Sequence, residues 1–232
     1  MKITRWVCIK ADVLIVQSEY QRKMTEENLR LDRETSVLSR RVEAGKFPYG
    51  ERLITFPVNL LHIASFQPVK DQETLFRAFA KIAKQVESRL TVVGHGFDVP
   101  AVRQMLIDLG IETKVDFTGE VKHEEIVGHF AKAHILLHTS RYESLCGVVQ
   151  EAMASGVPVC GTDVGILADL GDPFAVVVPP HNPDELANRT LSLVNDADRY
   201  DRMQKLAREY IVNHDADWAV KQYKELFEKW MK

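Results

Sequence analysis

Between residues 57 and 194, short apolar runs alternate with longer segments whose apolar residues recur at helical spacing. The short runs predict buried strands, and the longer segments predict amphipathic helices, one of which is capped by Asp98, opened by Pro100 and ended by Gly110. Strands and helices that alternate in this way pack as a parallel sheet with helices on both faces, so the sequence predicts an α/β fold. The strands are expected within residues 57–65, 90–93, 115–118, 134–138, 157–160 and 175–178.

Ligands of open α/β sheets bind beyond the carboxyl ends of the strands, and this rule locates the expected site. Ser65, Gly94, Gly119 and Glu143 each follow a predicted strand. We therefore expect these four residues to lie along one rim of the sheet.

The segment 135–159 has the most informative local pattern. An apolar run predicts a strand, a polar turn carries Glu143, and a helix is expected over residues 147–154 with Gly156 at its end. Glu151 should then lie one turn into the helix on its exposed side, about 7 Å or more beyond Glu143 at the helical rise of about 1.5 Å per residue.

This strand–turn–helix pattern favours binding of a nucleotide sugar. The backbone N–H groups of residues 144–148 should point out of a helix N-terminus, where a diphosphate binds readily. Glu143 would accept hydrogen bonds from sugar hydroxyls, and Glu151 would accept them from both hydroxyls of a ribose. The simpler alternative is a pair of surface glutamates near a helix start, because the helix dipole favours negative charge there.

The composition is that of an ordinary globular protein. The chain has 232 residues, of which 45% are hydrophobic and 27% charged, enough for one large or two small domains. A formal net charge of −3 argues against a nucleic-acid partner. The sequence contains neither a signal-peptide pattern nor an apolar run near the roughly 18 residues of a membrane span. Three scattered cysteines without a CxxC pair favour a reducing compartment, so we expect a cytoplasmic location.

Thiol and metal chemistry are weaker alternatives in this sequence. Cys146 lies in the turn before the predicted helix, where a helix N-terminus lowers thiol pKa, but we favour a packing role. Two Asp-x-Asp pairs, at 196–198 and 215–217, resemble a metal motif but precede helices and are better explained as caps. Four histidines on different strands and turns favour packing or rim positions over a metal site, so no metal ligand is assigned. These are His62, His95, His134 and His138.

The first 50 residues are organised differently from the rest. Residues 11–16 predict a strand and residues 19–29 a helix capped by Ser18, but one strand and one helix cannot form a domain. Residues 33–50 are polar and turn-rich and are expected to be a linker. We therefore divide the chain into two parts. Residues 1–50 are the remnant of an N-terminal domain with its linker, and residues 51–232 are a domain that binds a nucleotide-sugar donor.

Several motifs, in register over roughly residues 58–230, resemble one known family. They resemble the C-terminal domain of retaining GT-B glycosyltransferases, specifically glycosyltransferase family 4, the glycosyl transferases group 1. The resemblance implies a Rossmann-like domain and transfer of a sugar, with retention, from a UDP- or GDP-linked donor to a glycan or lipid-linked acceptor. It also implies that no metal or other cofactor is needed. The motifs are FTGEV at 117–121, SRYE at 140–143, EAMASGVPV at 151–159 and GTDVG at 161–165, preceded by ASFQPVKD at 64–71 and VVGHG at 92–96.

The resemblance also assigns roles to individual residues. Glu143, the first glutamate of an E-x7-E motif, would be the catalytic residue at the donor sugar, and Glu151 would bind ribose. Lys70 would neutralise phosphate charge, and backbone near Gly119 and Val121 would meet the base. The complete set of implied donor-binding residues is Ser65, Lys70, Gly119, Val121, Ser144, Leu145, Cys146, Gly147, Val148 and Glu151.

The sequence departs from the family pattern at two positions in the domain. Ser65 stands where the family commonly has arginine, so a hydroxyl replaces one of two phosphate-binding cations. Ile166 follows Gly165 where a Gly-Gly pair is usual, which would crowd the approach to the donor. We also expect the acceptor-binding N-terminal half to be almost wholly missing and the isolated chain to be inactive.

Three hypotheses follow from these observations. The first is the donor-binding half of a retaining glycosyltransferase, the second a non-catalytic nucleotide-sugar-binding module, and the third a related GT-B epimerase or phosphorylase. The expected partners are a nucleotide sugar and the N-terminal acceptor domain. Peripheral association of the full-length enzyme with the cytoplasmic face of a membrane, and its oligomeric state, are left open.

Overall fold

The computed structural model describes residues 2–33 and 35–231. The N-terminal elements are α1 (Lys2–Lys10), β1 (Ile15–Val16), α2 (Glu19–Leu29) and β2 (Ser36–Val37). The strands of the main sheet are β3 (Val58–Ile63), β4 (Ser88–Val93), β5 (Val115–Gly119), β6 (Ile135–His138), β7 (Val159–Thr162) and β8 (Val176–Val178). The remaining α-helices are α3 (Gln72–Gln85), α4 (Pro100–Leu109), α5 (Ile126–Lys132), α6 (Gly147–Ala154), α7 (Ile166–Leu170), α8 (Pro183–Val194), α9 (Ala197–Asn213) and α10 (Ala216–Trp230). Short 3-10 helices cover Ala44–Lys46, Pro68–Lys70, Glu112–Lys114 and His123–Glu125.

In the described part of the chain, six parallel strands form the main sheet in the order β5-β4-β3-β6-β7-β8. The chain starts in the middle of the sheet at β3, moves out to β5, and returns to β6 on the other side of β3. This order has its reversal between β3 and β6, which is where ligands of doubly wound sheets bind. The predicted α/β fold with a parallel sheet is therefore confirmed.

The apolar runs of the sequence reflect burial of the sheet on both faces. Successive residues of one strand enter different cores: Leu60 belongs to one buried cluster and Leu61 to the other. The same division separates Leu137 from Leu136 on β6. Because side chains alternate between the two faces of a strand, a strand buried on both faces reads as continuously apolar.

The N-terminal elements are attached to the rest of the chain by specific hydrogen bonds. β1 pairs in parallel with β2, and the carboxylate of Asp169 accepts hydrogen bonds at 2.9 and 2.8 Å from the backbone N–H groups of Glu19 and Tyr20, at the start of α2. Further along, Ala44 and Phe47 are buried in the second core cluster. The division of the chain at residue 50 stays a prediction.

Most boundaries agree with the sequence pattern to within two residues. β1 covers only Ile15–Val16 of the strand predicted over residues 11–16, and β4 begins at Ser88, two residues before the predicted strand. The N-cap of α4 is Val99, so the predicted capping role of Asp98 is wrong, while Gly110 does end the helix. β7 begins at Val159, two residues later than the predicted strand. Among residues 2–33 and 35–231, no helix has the length and apolarity that crossing a membrane requires.

Candidate functional site

The candidate site lies where β3 and β6 run side by side at the reversal of the sheet. The loops that leave these strands are joined to each other: the Thr139 hydroxyl donates to the Lys70 carbonyl at 2.9 Å, and the Arg141 N–H donates to the Val69 carbonyl at 2.8 Å. These bonds fix the loops across the crevice. Lys70 and Glu143 therefore face each other although they are 73 residues apart in sequence.

Glu143 is the most strongly held charged side chain of the site. Its Oε1 accepts hydrogen bonds from Lys70 Nζ at 2.5 Å and from Ser140 Oγ at 2.8 Å, and its side chain is only 14% exposed. Burial alone would raise the pKa of Glu143, but the hydrogen bonds from Lys70 and Ser140 and the charge of Lys70 outweigh it and leave this pKa below its ordinary value. Glu143 is thus an ionised, preoriented hydrogen-bond acceptor at neutral pH.

Two buried histidines lie beneath this ion pair. His62 on β3 bonds through Nδ1 to the Leu137 carbonyl at 3.0 Å, and His138 on β6 has Nε2 at 3.7 Å from Glu143 Oε1. Burial lowers the pKa of each imidazole to about 4. Both rings are therefore neutral at physiological pH, so they add hydrogen-bonding groups but no charge to the floor of the site. The predicted packing position of these two histidines agrees with their burial.

The turn between β6 and α6 is held in an unusual backbone conformation. Cys146, the N-cap residue of α6, has φ of 75°, a value that L-residues rarely adopt. Burial raises the pKa of the Cys146 thiol to about 12, so the expected packing role is a better description than a reactive thiolate. Gly165 supports the same turn from below: with φ of 55°, a Cβ at this position would lie 2.9 Å from Glu143 Cβ and 3.1 Å from the Leu145 carbonyl oxygen.

Glu151 lies one helical turn beyond this point and faces the same cleft. Its Oε1 is 2.9 Å from His123 Nε2, and its side chain is 13% exposed, which makes it more buried than the sequence pattern predicted. The cleft has a volume of about 750 Å³ and is thus in the size range of small-molecule sites. From α6 and the turn before it, the cleft is lined by Glu143, Ser144, Leu145, Cys146, Gly147, Gln150 and Glu151.

The wall opposite α6 comes from the segment before β3. This wall carries the basic side chains of Arg40, Arg41 and Lys46 and the buried ring of Phe47. It also carries the carboxylate of Glu43, which pairs with Lys46 at 2.8 Å and leaves the two arginines as the main basic groups. A cleft with two carboxylates and a helix N-terminus on one side and basic groups on the other can bind a ligand that has both hydroxyls and negative charge.

The remaining predicted residues lie outside this cleft. Gly119 ends β5 and lines a neighbouring cavity of about 910 Å³ together with Gly94. Ser65 lies against Gly94, whose added Cβ would be 3.2 Å from the Ser65 backbone nitrogen. Val121 and Val148 are partly buried against the second core cluster. The structure thus brings Lys70 and the 143–151 segment together, and it places Ser65 and Gly119 further along the same end of the sheet.

Sequence reasoning did not assign Ser140 and His123 to the site. The signal for Ser140 was present, because a serine three residues before a glutamate in a turn is within reach of its carboxylate. His123 had no comparable signal, since its contact with Glu151 joins two separate elements 28 residues apart.

A comparison with protein families identifies the family of the chain. The sequence profile described as Glycosyl transferases group 1 matches residues 56–210. This match runs from just before β3 into α9 and includes Lys70, Glu143 and Glu151. The chain belongs to this glycosyltransferase family.

Individual relatives agree with the family assignment. The chain is 30% identical over 181 residues to N-acetyl-alpha-D-glucosaminyl L-malate synthase of Bacillus anthracis, covering 72% of this chain and 44% of that protein. It is also 30% identical over 161 residues to a GDP-mannose-dependent alpha-(1-6)-phosphatidylinositol monomannoside mannosyltransferase of Mycobacterium tuberculosis, covering 65% of this chain and 41% of that protein. The chain thus spans less than half the length of these curated relatives.

A solved structure shows the same fold. HepE of Anabaena, crystallised with UDP and glucose, superimposes with a TM-score of 0.84 at 20% identity, covering 98% of this chain and 66% of that one. Together with the family match, this similarity confirms the expected resemblance to the C-terminal domain of GT-B glycosyltransferases.

Proposed function

We propose that this chain binds a nucleotide sugar as the donor-binding half of a retaining, metal-independent glycosyltransferase. The observation that carries the proposal is the Lys70–Glu143 pair at the sheet reversal, directly beside the N-terminus of α6. The site combines a cation, a preoriented carboxylate and the backbone N–H groups at a helix N-terminus. This combination suits a ligand in which a diphosphate is joined to a sugar.

Each part of the donor has a matching group in the chain. The diphosphate binds the backbone N–H groups of residues 144–147, and Lys70 turns from Glu143 towards the phosphate, where its charge also stabilises the departing nucleoside diphosphate. Glu143, released from Lys70, accepts hydrogen bonds from the donor sugar beside the reacting carbon. Glu151 accepts hydrogen bonds from the ribose, and Gly119 and Val121 meet the base.

The donor is UDP- or GDP-linked and the acceptor is a glycan or a lipid-linked sugar. The names of the relatives support this range, since one uses GDP-mannose on a phosphatidylinositol mannoside and HepE was crystallised with UDP. The acceptor is bound by an N-terminal half in the cytoplasm or at the cytoplasmic face of the membrane. The domains close on the two substrates, which orders them and excludes water.

The test is calorimetric titration of the chain with UDP, GDP and ADP. With half of the cleft open to solvent, we expect dissociation constants of roughly 0.1–1 mM, or about 4–5.5 kcal/mol. Absence of binding for all three at millimolar concentration would contradict the proposal.

A transferase assay tests the division of labour between the two halves. The chain alone should not transfer sugar to free or lipid-linked acceptors, and addition of an N-terminal half from a relative should restore transfer. Robust transfer by the chain alone would show that residues 1–50 and the donor domain suffice. Hydrolysis or epimerisation of the donor in the absence of acceptor would instead favour a related GT-B enzyme of the epimerase or phosphorylase type.

A further inference from the structure

Three side chains with metal-ligating atoms meet beside the proposed donor site. His138, Glu143 and Cys146 each place one such atom within 4.8 Å of the other two. His138 Nε2 lies 3.7 Å from Glu143 Oε1, and His138 Nδ1 lies 3.9 Å from Cys146 Sγ. The group joins the end of β6 to the first residue before α6, so its spacing is set by the turn between them.

The imidazole of His138 provides a second, independent observation. The residue is 2% exposed, and within the described residues its Nε2 has no hydrogen-bond partner. A buried polar atom without a partner costs free energy, which a bound ligand can recover. Nε2 lies 3.7 Å from Glu143 Oε1, so the unsatisfied atom faces the carboxylate of the cluster.

The chemistry of the three atoms selects the kind of metal. A nitrogen, a carboxylate oxygen and a sulfur suit Zn²⁺, whereas Mg²⁺ takes oxygen ligands. Zinc bonds of about 2.0–2.3 Å in tetrahedral geometry separate ligand atoms by roughly 3.3–3.6 Å. The Nε2–Oε1 separation of 3.7 Å is close to this range, and the ligand atoms of all three residues lie within 4.8 Å of one another. Glu143 and Cys146 also line the 750 Å³ cleft, which offers an entry path and space for a water as fourth ligand.

We propose that His138, Glu143 and Cys146 form an inhibitory zinc site that excludes the nucleotide-sugar donor. On binding, Zn²⁺ forms a bond to Cys146 Sγ and the thiol proton leaves to solvent. The ion replaces Lys70 as the partner of Glu143, and the ammonium group, on a flexible four-carbon stem that is 25% exposed, swings into the cleft. Glu143 and the turn of α6 are then unavailable to sugar and diphosphate, a consequence that rests on the proposed function.

Cobalt is the probe for the zinc site, because Co²⁺ bound to a thiolate gives a near-ultraviolet charge-transfer band. We expect the wild-type chain to bind one Co²⁺ with this band and to lose the band when Zn²⁺ is added, but not when Mg²⁺ is added. Cys146→Ser should abolish the band and weaken zinc binding at least 10-fold, whereas Cys8→Ser, the matched control, should retain both. Absence of the band in the wild type, or its survival in Cys146→Ser, would overturn the site.

Glu143→Gln keeps the experiment decisive if circular dichroism shows that Cys146→Ser does not fold. This variant should retain the thiolate band but bind zinc at least 10-fold more weakly. Equal zinc affinity in Glu143→Gln and wild type would remove Glu143 from the ligand set and overturn the proposed competition with Lys70.

Competition with the donor is measured by titrating UDP with and without Zn²⁺. Zinc should raise the apparent Kd for UDP, relative to each protein without zinc, at least 10-fold more in the wild type than in Cys146→Ser. Complexation of UDP by free zinc is the same for both proteins and cancels. An equal effect in both refutes inhibition through the cluster, whereas failure of UDP to bind either protein refutes the proposed function and leaves the cobalt result standing.

Discussion

Replacement of Lys70 by methionine tests how the site recognises the diphosphate. Methionine keeps most of the apolar stem of the lysine and removes the ammonium group, which in the ligand-free protein lies 2.5 Å from Glu143 Oε1. Under the proposed function this group faces phosphate in the donor complex, so its loss should weaken binding of UDP and leave binding of uridine almost unchanged.

The size of the effect follows from the partial burial of the pair. At about 4 Å and an effective dielectric constant of about 20, the gross attraction between ammonium and one phosphate charge is about 4 kcal/mol. Part of this is offset because Lys70 must leave Glu143, so the net contribution should lie near that of a hydrogen bond to a charged group, about 1.5–3 kcal/mol. The Kd for UDP should therefore rise about 10- to 150-fold.

The assay is calorimetric titration of UDP and uridine at low and high salt. Because salt screens charges at the partly open cleft, the difference between wild type and Lys70→Met should shrink between about 0.05 and 0.5 M NaCl. Lys84→Met is the matched control, since Lys84 is an exposed lysine on α3. The assignment is refuted if Lys70→Met weakens the binding of uridine and of UDP equally, or if the loss of UDP affinity does not depend on salt.

Three further predictions test other parts of the site and fold. Glu151→Ala should weaken UDP binding by about 1–3 kcal/mol with little salt dependence, because the lost carboxylate accepts hydrogen bonds from a neutral diol. The variant should also show a smaller difference in affinity between UDP and 2′-deoxy-UDP. An unchanged difference in titrations would show that Glu151 does not bind the ribose. Gly165→Ala and Gly171→Ala both place a side chain at positive φ, 55° and 57°, and each should cost about 1–3 kcal/mol in urea denaturation. Only Gly165→Ala should also weaken the binding of UDP, because its Cβ would lie 2.9 Å from Glu143 Cβ, whereas a Cβ at Gly171 has no described atom within 4 Å. Equal UDP affinity in the two variants would contradict the role of Gly165 in placing Glu143. The pKa of His62 is lowered from 6.5 to about 4 in the folded chain, so the unfolded chain binds this proton more readily as the pH falls from 6.5 to 4. His62 should therefore lower the free energy of unfolding by up to about 3 kcal/mol as the pH falls over that range. In urea denaturation, the free energy of unfolding of His62→Gln should depend less steeply on pH. An identical pH dependence in the wild type and the variant would refute this.

Several features of the protein are determined by short stretches of sequence. The period of the apolar residues predicts the order of strands and helices, because burial on a helix or strand has its own fixed spacing. Helix starts with a local acceptor are also readable: Ser18, Asp196 and Asp215 each accept hydrogen bonds from backbone N–H groups two or three residues on. The position of Glu143 in a turn and of Glu151 on the following helix belongs to the same class of local information.

Local patterns do not determine every helix cap or every short helix. Asp98 is of a residue type that is common at helix N-caps, yet the N-cap of α4 is Val99, so a suitable residue type near a helix start does not by itself determine the cap. The short helix α7 was not predicted, and its Asp169 bonds the N-terminus of α2, about 150 residues earlier. Five residues are too few to show a helical period, so α7 is recognised only from its tertiary contact.

The charged centre of the site was decided by tertiary structure alone. The sequence placed Lys70 and Glu143 after separate strands, but their contact requires that β3 and β6 be neighbours, which only the strand order of the sheet establishes. The same neighbourhood buries His62 and His138 side by side and lowers the pKa of both. Spacing along a chain determines which groups share a helix or a strand, whereas attraction, desolvation and metal ligation depend on distances in space that arise only when the strands pair.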